Sequence, residues 1–209
     1  MADDPAVVDQ AAEARVAEAV PAAVRELMAT LRAAGHAVFV VGGSVRDVLI
    51  GREPLDWDLA TDARPEQMLE LLAGAVYENA FGTVAVRRDG RPYELTTFRS
   101  DHEYADFRRP HRVEFGDALE DDLARRDFTV NAMAWGYRRG EPDPSLVDPH
   151  GGRADAAQRI LRAVGDPGAR FSEDALRMLR AIRLATTLEF EVEPATRAAI
   201  HRHAGLALH

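Results

Sequence analysis

The stretch AVFVVGGSVRDVLIGREPLDWDLAT, residues 37–61, predicts a buried strand, a tight turn, a short helix and a second strand in that order. Ala37–Val41 is uniformly apolar and rich in β-branched residues, which is typical of a strand covered on both faces. Gly42 and Gly43 end this strand in a turn, and Ser44 takes the position of a helix N-cap. The passage therefore predicts a strand that leads directly into a helix, an arrangement that aims backbone N–H groups at an anion.

The same stretch continues with a helix over Val45–Ile50 and a strand over Asp56–Ala60. Side chains alternate faces along a strand, so the carboxylates of Asp56 and Asp58 are expected to point the same way. Taken alone, such a pair reads equally well as two solvated charges at a sheet edge. The glycine turn shortly before it, together with Arg46, favours a site for phosphate and a cation instead.

Patterns outside this stretch predict a mixed first part and a helical end. The predicted elements are helices over 6–34 broken at Pro21, a helix over 65–73, hairpin strands over 83–88 and 93–99 around Asp89-Gly90, a mobile loop over 100–116, a helix over 119–135, a short strand over 146–148, a helix from Ser172 to Thr187, and a helix after Pro194.

Composition excludes several classes of protein. The formal net charge of −9 argues against a general nucleic-acid-binding surface, although all 26 basic residues are arginine, whose planar guanidinium suits phosphates and base edges. Cysteine is absent, which excludes disulfides, thiolate nucleophiles and zinc–thiolate sites. The acidic N-terminus differs from a signal peptide, and we find no apolar run of the roughly 20 residues that a membrane span needs. A cytoplasmic protein without a membrane partner is expected.

Five ordered motifs resemble those of the class II CCA-adding enzymes (tRNA nucleotidyltransferases) and the related bacterial poly(A) polymerases. They cover about residues 36–190: GGSVRD from Gly42 with DWDLAT from Asp56, ELTTFR from Glu94, RRDFTVNA from Arg125, DPHGG from Asp148, and RFSEDALRMLR from Arg170. The resemblance implies an α+β fold. We expect a helical extension over 1–35, a polymerase-beta-like nucleotidyltransferase head over 36–150 with a short mixed sheet flanked by helices, and an all-helical, base-selecting neck over 151–209.

The resemblance also implies a reaction that needs Mg²⁺. Asp56 and Asp58 would be the metal ligands and Glu94 a third catalytic carboxylate, in a two-metal displacement that joins a nucleotide to an RNA 3′-hydroxyl. Gly42 and Gly43, with Arg46, would hold the triphosphate of CTP or ATP.

Nucleotide selection is implied for the later motifs. Arg126 and Asp127 match a segment that senses the ribose, although without the resemblance they read as a solvated helix face. Asp174 and Arg177, three apart on a predicted helix, read either as an ion pair or, by the resemblance, as a protein template for the base. Cytosine and adenine both offer an amino donor beside a ring-nitrogen acceptor, whereas uracil and guanine reverse that order. Arg180 continues the same face and is expected to reach phosphates.

The sequence leaves the exact product open. CCA addition to the tRNA 3′ end, poly(A) synthesis and the addition of C alone or A alone share every motif, and a silent nucleotide-binding remnant is the alternative from another class. Because relatives usually extend beyond this length, we expect this chain to bind Mg²⁺ and nucleotide but to add nucleotides to tRNA weakly or not at all. The oligomeric state is not indicated by the sequence.

Overall fold

The structure, a computed structural model, describes residues 5–79, 82–101, 104–106, 109–110 and 113–208. Its α-helices are α1 Pro5–Ala19, α2 Ala22–Ala33, α3 Gly43–Leu49, α4 Pro65–Leu71, α5 Leu119–Ala124, α6 Gly152–Gln158, α7 Pro167–Glu173, α8 Leu176–Leu188 and α9 Pro194–His203, and short 3-10 helices cover Thr129–Asn131 and Ala204–Leu208. Within the described ranges, no helix is both long enough and apolar enough to cross a lipid bilayer.

The strands form one large mixed sheet and three small pairs. They are β1 Val38–Val41, β2 Asp58–Thr61, β3 Val76–Asn79, β4 Thr83–Arg88, β5 Arg91–Thr97, β6 Arg99–Asp101, β7 Tyr104–Asp106, β8 Arg109–Pro110, β9 Val113–Phe115, β10 Ala134–Tyr137, β11 Ser145–Val147, β12 Ile160–Leu161 and β13 Glu191–Val192. The seven-stranded sheet has the order β11-β10-β1-β2-β5-β4-β3. Only β2 and β5 run parallel among its neighbours, so the predicted mixed sheet flanked by helices is confirmed.

The predicted burial of β1 on both faces is confirmed. Val38 and Val40 pack with α1, α2 and α4 in one apolar cluster, and Phe39 and Val41 pack with α5 in another on the opposite face. The break between α1 and α2 falls at Pro21, and the hairpin of β4 and β5 turns at Asp89-Gly90, both as predicted. Because β1 lies between β10 and β2, its C-terminal end is fixed from both sides.

The predicted helix over 119–135 is wrong beyond Ala124. The chain there forms a turn, the 3-10 helix and then β10, which pairs antiparallel with β1. The backbone N–H of Phe128 donates to the side chain of Asp127 at 2.9 Å, a local contact that competes with helix continuation. Trp135 faces Val40 in the sheet, so pairing with β1 decides the conformation of this segment.

The C-terminal part also differs from the expectation. Residues 151–208 contain four α-helices, but β12 and β13 form a short parallel pair between them, so this part is not all-helical. The helix predicted from Ser172 to Thr187 is two helices, because Asp174 has an extended backbone with φ −147° and ψ 104°. A third apolar cluster joins these helices to Phe128 and Val130.

The mobile loop predicted over 100–116 falls partly outside the described residues. Its described parts include β9 and most of β6, which pair with each other, and the short pair of β7 and β8. Strand β3, at the edge of the large sheet, is not indicated by the sequence, since it lies close to a turn and Val76, Tyr77 and Glu78 are exposed.

Gly136 provides a test of the contact between β10 and β1. A Cβ atom at this position would overlap the carbonyl oxygen of Val38 and lie 2.7 Å from Cα of Phe39, both of them backbone atoms that cannot move aside. We expect Gly136→Ala to lower the free energy of unfolding by about 3 kcal/mol, measured by urea denaturation. Gly205→Ala is the matched control, because a Cβ there meets no described atom within 4 Å. Equal stability of the two variants would contradict the proposed strand contact.

Candidate active site

A cavity of about 570 Å³ lies beside the C-terminal end of β1 and the start of β2. It is lined by Val41, Gly42, Gly43, Arg46, Asp56, Asp58, Leu59, Glu94, Thr96, Arg99, Arg125, Arg126, Asp127, Asn131, Asp174, Arg177, Arg180, Arg183 and Leu184. Every residue that the sequence predicts for the site lines this cavity, although some of these residues lie far apart in the chain. The structure therefore brings the predicted residues together, while their individual roles stay predictions.

One side of the cavity carries three carboxylates. Asp58 begins β2, and Glu94 lies on β5, the parallel neighbour of β2 in which Leu95 pairs with Leu59. Asp56 precedes the strand rather than lying on it, which corrects the predicted strand start, and buried Trp57 separates the two aspartates. Burial and the nearby charges of Asp56 and Glu94 raise the pKa of Asp58 to about 6. Burial, with the charges of Glu78 and Asp56, also raises the pKa of Glu94.

Gly42 shapes the turn between β1 and α3. Its backbone has φ +76° and ψ −126°, a conformation that essentially only glycine adopts, and a Cβ atom would lie 2.8 Å from Nη1 of Arg126. Its N–H donates to the carbonyl of Met133 at 3.0 Å, so this group serves the fold rather than a ligand. Gly42, not the predicted Ser44, is the N-cap, since the Ser44 hydroxyl donates to the carbonyl of Val41.

Arg46 lies buried at the wall of the cavity. Its Nε donates to Oδ1 of Asp47 at 2.9 Å, and its Nη1 donates to Oδ1 of Asn131. A Cβ atom at Gly43 would lie 3.4 Å from Nη2 of the same guanidinium. The small residue in the turn therefore leaves room for Arg46 to reach the cavity.

Asp122 holds two arginines from behind the cavity wall. Its carboxylate is 1% exposed and accepts hydrogen bonds from Arg125 at 2.7 Å and from Arg126 at 3.1 Å. Burial opposes ionisation, but the two guanidinium charges outweigh it and lower the pKa of Asp122 to about 2. Both arginines are thus fixed beside a permanently ionised group.

Asp127 is surrounded by donors. Its Oδ1 accepts from the N–H of Phe128 at 2.9 Å and from Nδ2 of Asn131 at 3.1 Å. Its Oδ2 accepts from both Nε and Nη2 of Arg180 at 2.7 Å. Arg180 thus contacts Asp127, and the expected contact with phosphate stays a prediction.

Asp174 and Arg177 are close, though not as the sequence predicts. Asp174 lies in the break between α7 and α8, where its Oδ1 accepts from the N–H of Leu176 at 2.9 Å. Its Oδ2 lies 4.0 Å from Nε of Arg177, whose Nη1 donates to Glu173 at 2.7 Å. The pair faces the cavity from a helix start rather than from a helix face.

Two residues that organise the site were missed as site residues. Asp122 precedes Arg125 and Arg126 by three and four positions, a spacing at which side chains on a helix meet, so this signal was present in the sequence. Asn131 belongs to the RRDFTVNA motif, but nothing local in the sequence indicates that it contacts Arg46, 85 positions away.

A family model described as the poly A polymerase head domain matches residues 38–162, which include the carboxylates, the glycine turn and Asp127. The chain belongs to this family. The poly A polymerase head domain family thus accounts for the elements that surround most of the cavity, whereas α8 lies beyond the matched residues.

The chain is similar in sequence to bacterial CCA-adding enzymes. It is 46% identical over 183 residues to that of Levilactobacillus brevis, covering 87% of this chain and 45% of the relative. It is 45% identical over 184 residues to that of a Geobacillus species, covering 88% of this chain and 44% of the relative. The chain therefore spans less than half the length of these relatives.

Solved structures share the fold. The CCA-adding enzyme of Bacillus stearothermophilus in complex with CTP gives a TM-score of 0.77 at 40% identity, covering 87% of this chain and 42% of that one. The Thermotoga maritima CCA-adding enzyme complexed with tRNA CCA gives a TM-score of 0.73 at 26% identity, covering 93% and 45%. The α+β fold is thus confirmed by independent structures.

Removing the Asp122 charge tests the electrostatic support of the cavity. We expect Asp122→Asn to lower the free energy of unfolding by about 3 kcal/mol at pH 7, because it removes the buried negative charge that two partly buried guanidinium groups share. The folded pKa lies below the ordinary 3.8, so the stabilisation is complete above about pH 4 and is lost as the pH falls towards 2. Urea denaturation at pH 7 and at pH 3 measures both effects.

Glu120→Gln is the matched control for this experiment. Glu120 also pairs with an arginine, Arg138 at 2.7 Å, but both side chains are about half exposed. An exposed pair contributes at most about 1 kcal/mol, so a loss in Glu120→Gln as large as that in Asp122→Asn would contradict the role given to burial.

Proposed function

We propose that this chain is the nucleotidyltransferase part of a CCA-adding enzyme, which transfers CMP and AMP from CTP and ATP to the 3′ end of tRNA and releases pyrophosphate. The observation that carries the proposal is one cavity lined both by the neighbouring carboxylates Asp56, Asp58 and Glu94 and by several arginines. Such a site suits the transfer of a nucleotide to a hydroxyl, because the carboxylates can hold a cation while the arginines hold the phosphates. The similarity to enzymes named for CCA addition supports the choice of product.

The carboxylates fit a divalent cation, and we propose Mg²⁺. Among the described residues, no group of three acidic or histidine side chains is placed to hold a metal unaided. Mg²⁺ is commonly bound by one or two carboxylates that share it with substrate phosphates and water, so Asp56 and Asp58 would hold it and Glu94 would support them. Burial, together with the neighbouring charges of Asp56 and Glu94, raises the pKa of Asp58, and a bound cation would favour its ionised form. When bound, the ion activates the RNA hydroxyl and stabilises the leaving pyrophosphate.

The arginines would hold the triphosphate in line for attack. Arg46 and Arg126 approach the glycine turn from two sides, and their guanidinium groups are already held by acceptors within the protein. The 3′-oxygen forms a bond to the α-phosphorus while the bond to the bridging oxygen breaks. Because the cationic groups are fixed beforehand, they stabilise the charge of the leaving group without having to reorganise.

Sugar and base would be selected by separate groups. Asp127 would accept a hydrogen bond from the ribose 2′-hydroxyl, which favours ribonucleotides. Asp174 would accept from the amino group of cytosine or adenine while Arg177 donates to the ring nitrogen. Uracil or guanine would leave unpaired polar groups in the cavity, at about 1–3 kcal/mol for each.

The family description supports a second candidate, a poly(A) polymerase. Product length on a tRNA that lacks its last three nucleotides separates the two: the addition of CCA stops after three, whereas poly(A) synthesis gives a long tract. Enzymes that add only C or only A stop earlier.

We also propose that the division of the chain into an extension (1–35), a head (36–150) and a base-selecting neck (151–209), and a cytoplasmic location, hold for this protein. The third apolar cluster, most of whose members lie between Ala156 and Ala199, supports a separate C-terminal unit.

Loss of the Asp58 carboxylate tests the proposed reaction. We expect Asp58→Ala to reduce the incorporation of radiolabelled CTP and ATP into tRNA without its 3′ CCA by at least about a hundredfold, because the cation loses a ligand. Asp143→Ala, which removes an exposed carboxylate that does not line the cavity, is the control, and this variant should incorporate nucleotides normally. Since this chain spans less than half of its relatives, binding of CTP in Mg²⁺ is measured alongside. Unchanged turnover in Asp58→Ala would refute the metal assignment.

Replacement of Asp174 tests base selection. Asp174→Asn keeps Oδ1 as the acceptor for the Leu176 N–H but turns the other oxygen into a donor, so the helix start is preserved. We expect the preference for CTP over UTP to fall roughly tenfold, measured as a ratio of dissociation constants, and Asp174→Ala to lower it as well. Retained discrimination against UTP in both variants would remove the template role.

A further inference from the structure

We propose that Asn131 is a positioning residue that holds Arg46 and Asp127 in a fixed relation, so that the group gripping the triphosphate and the group sensing the ribose act as one unit. The inference rests on the proposed function and adds to it a residue whose side chain contacts two of the proposed ligand-binding groups. It starts from an arrangement in which one side-chain amide lies between a buried cation and a buried anion.

The contacts of Asn131 have opposite polarity at its two ends. Its Oδ1 accepts from Nη1 of Arg46, and its Nδ2 donates to Oδ1 of Asp127 at 3.1 Å. Guanidinium is only a donor and an ionised carboxylate is only an acceptor, so these partners fix which end of the amide faces which group. A short side-chain amide meets both requirements, because it carries an acceptor for the guanidinium and a donor for the carboxylate.

Burial makes these contacts hard to replace. Asn131 is 9% exposed, Arg46 8% and Asp127 7%. Water has little access to any of the three, so the loss of one contact leaves a polar group unpaired. Asp47 also holds Arg46, and Phe128 and Arg180 also hold Asp127, but Asn131 is the side chain that contacts both groups and so fixes them relative to each other.

The backbone of Asn131 is also fixed. It ends the 3-10 helix, where its N–H donates to the carbonyl of Phe128 at 2.9 Å, and its own carbonyl accepts from Nη1 of Arg126 at 3.4 Å. The same residue thus contacts a second arginine that approaches Gly42. A position held this way can transmit the placement of one ligand-binding group to another.

Two substitutions at Asn131 separate its two contacts. Asn131→Asp keeps an oxygen for Arg46 but places a carboxylate oxygen against Oδ1 of Asp127, so only the second contact is lost. Asn131→Ala removes both. The measurements are dissociation constants by calorimetry in Mg²⁺, with CTP, dCTP and inorganic triphosphate, which lacks a ribose, as the probes.

We expect Asn131→Asp to lower the preference for CTP over dCTP about tenfold while its affinity for inorganic triphosphate stays within threefold of the original. Asn131→Ala should lower that preference and should also lower the affinity for inorganic triphosphate about tenfold. Thr196→Val is the matched control, because it removes the side-chain hydrogen bonds of a fully buried residue that does not line the cavity. It should reduce the melting temperature without changing the preference for CTP over dCTP or the affinity for inorganic triphosphate.

The proposal is overturned if Asn131→Asp keeps its preference for CTP over dCTP within twofold, or if Thr196→Val changes that preference equally, which would indicate a general loss of stability. Failure of the proposed function looks different, because the unaltered chain would then bind CTP no better than UTP. In that case the inorganic triphosphate measurements on Asn131→Ala still decide whether Asn131 positions Arg46.

Discussion

Arginines can crowd around one cavity only if each is held by an acceptor, because their like charges repel and their donors are costly to leave unpaired. The acceptors belong to several elements, and they lie partly in the cavity lining (Asn131, Asp127) and partly outside it (Asp47, Asp122, Glu173). Asp47 and Asn131 hold Arg46, Asp122 holds Arg125 and Arg126, Glu173 holds Arg177, and Asp127 holds Arg180. These internal pairs fix the guanidinium groups before any ligand arrives. The glycines of the turn leave room for two of them, because a Cβ atom at Gly42 would meet Arg126 and one at Gly43 would meet Arg46.

Signals that act over short distances explain the parts of the fold and site that could be predicted. The apolar run before Gly42 marks a strand buried on both faces, and the alternation around Trp57 directs two carboxylates to one side. Both depend on neighbours within a few positions. The motifs shared with known enzymes supplied the remaining residues of the cavity, although the motifs alone carry no distances.

Contacts between distant segments explain what could not be predicted. The residues after Ala124 have helical propensity, yet pairing with β1 makes a strand of 134–137. At Asp174 a side chain that accepts from its own backbone two residues on ends the helical run, and periodicity is blind to such a contact. Asn131 shows the same limit, because its partner Arg46 becomes a neighbour only after the sheet has formed.

The crowding around Asp127 has a consequence for how a sugar is recognised. A carboxylate offers about four positions to donors, and all four are filled here by Phe128, Asn131 and the two nitrogens of Arg180. An incoming hydroxyl must therefore take the place of an existing partner. Arg180, about half exposed, is the donor that water can most readily receive in return. In the proposed function, recognition of the ribose at this carboxylate would be an exchange of one donor for another, and its free energy would be the small difference between two hydrogen bonds.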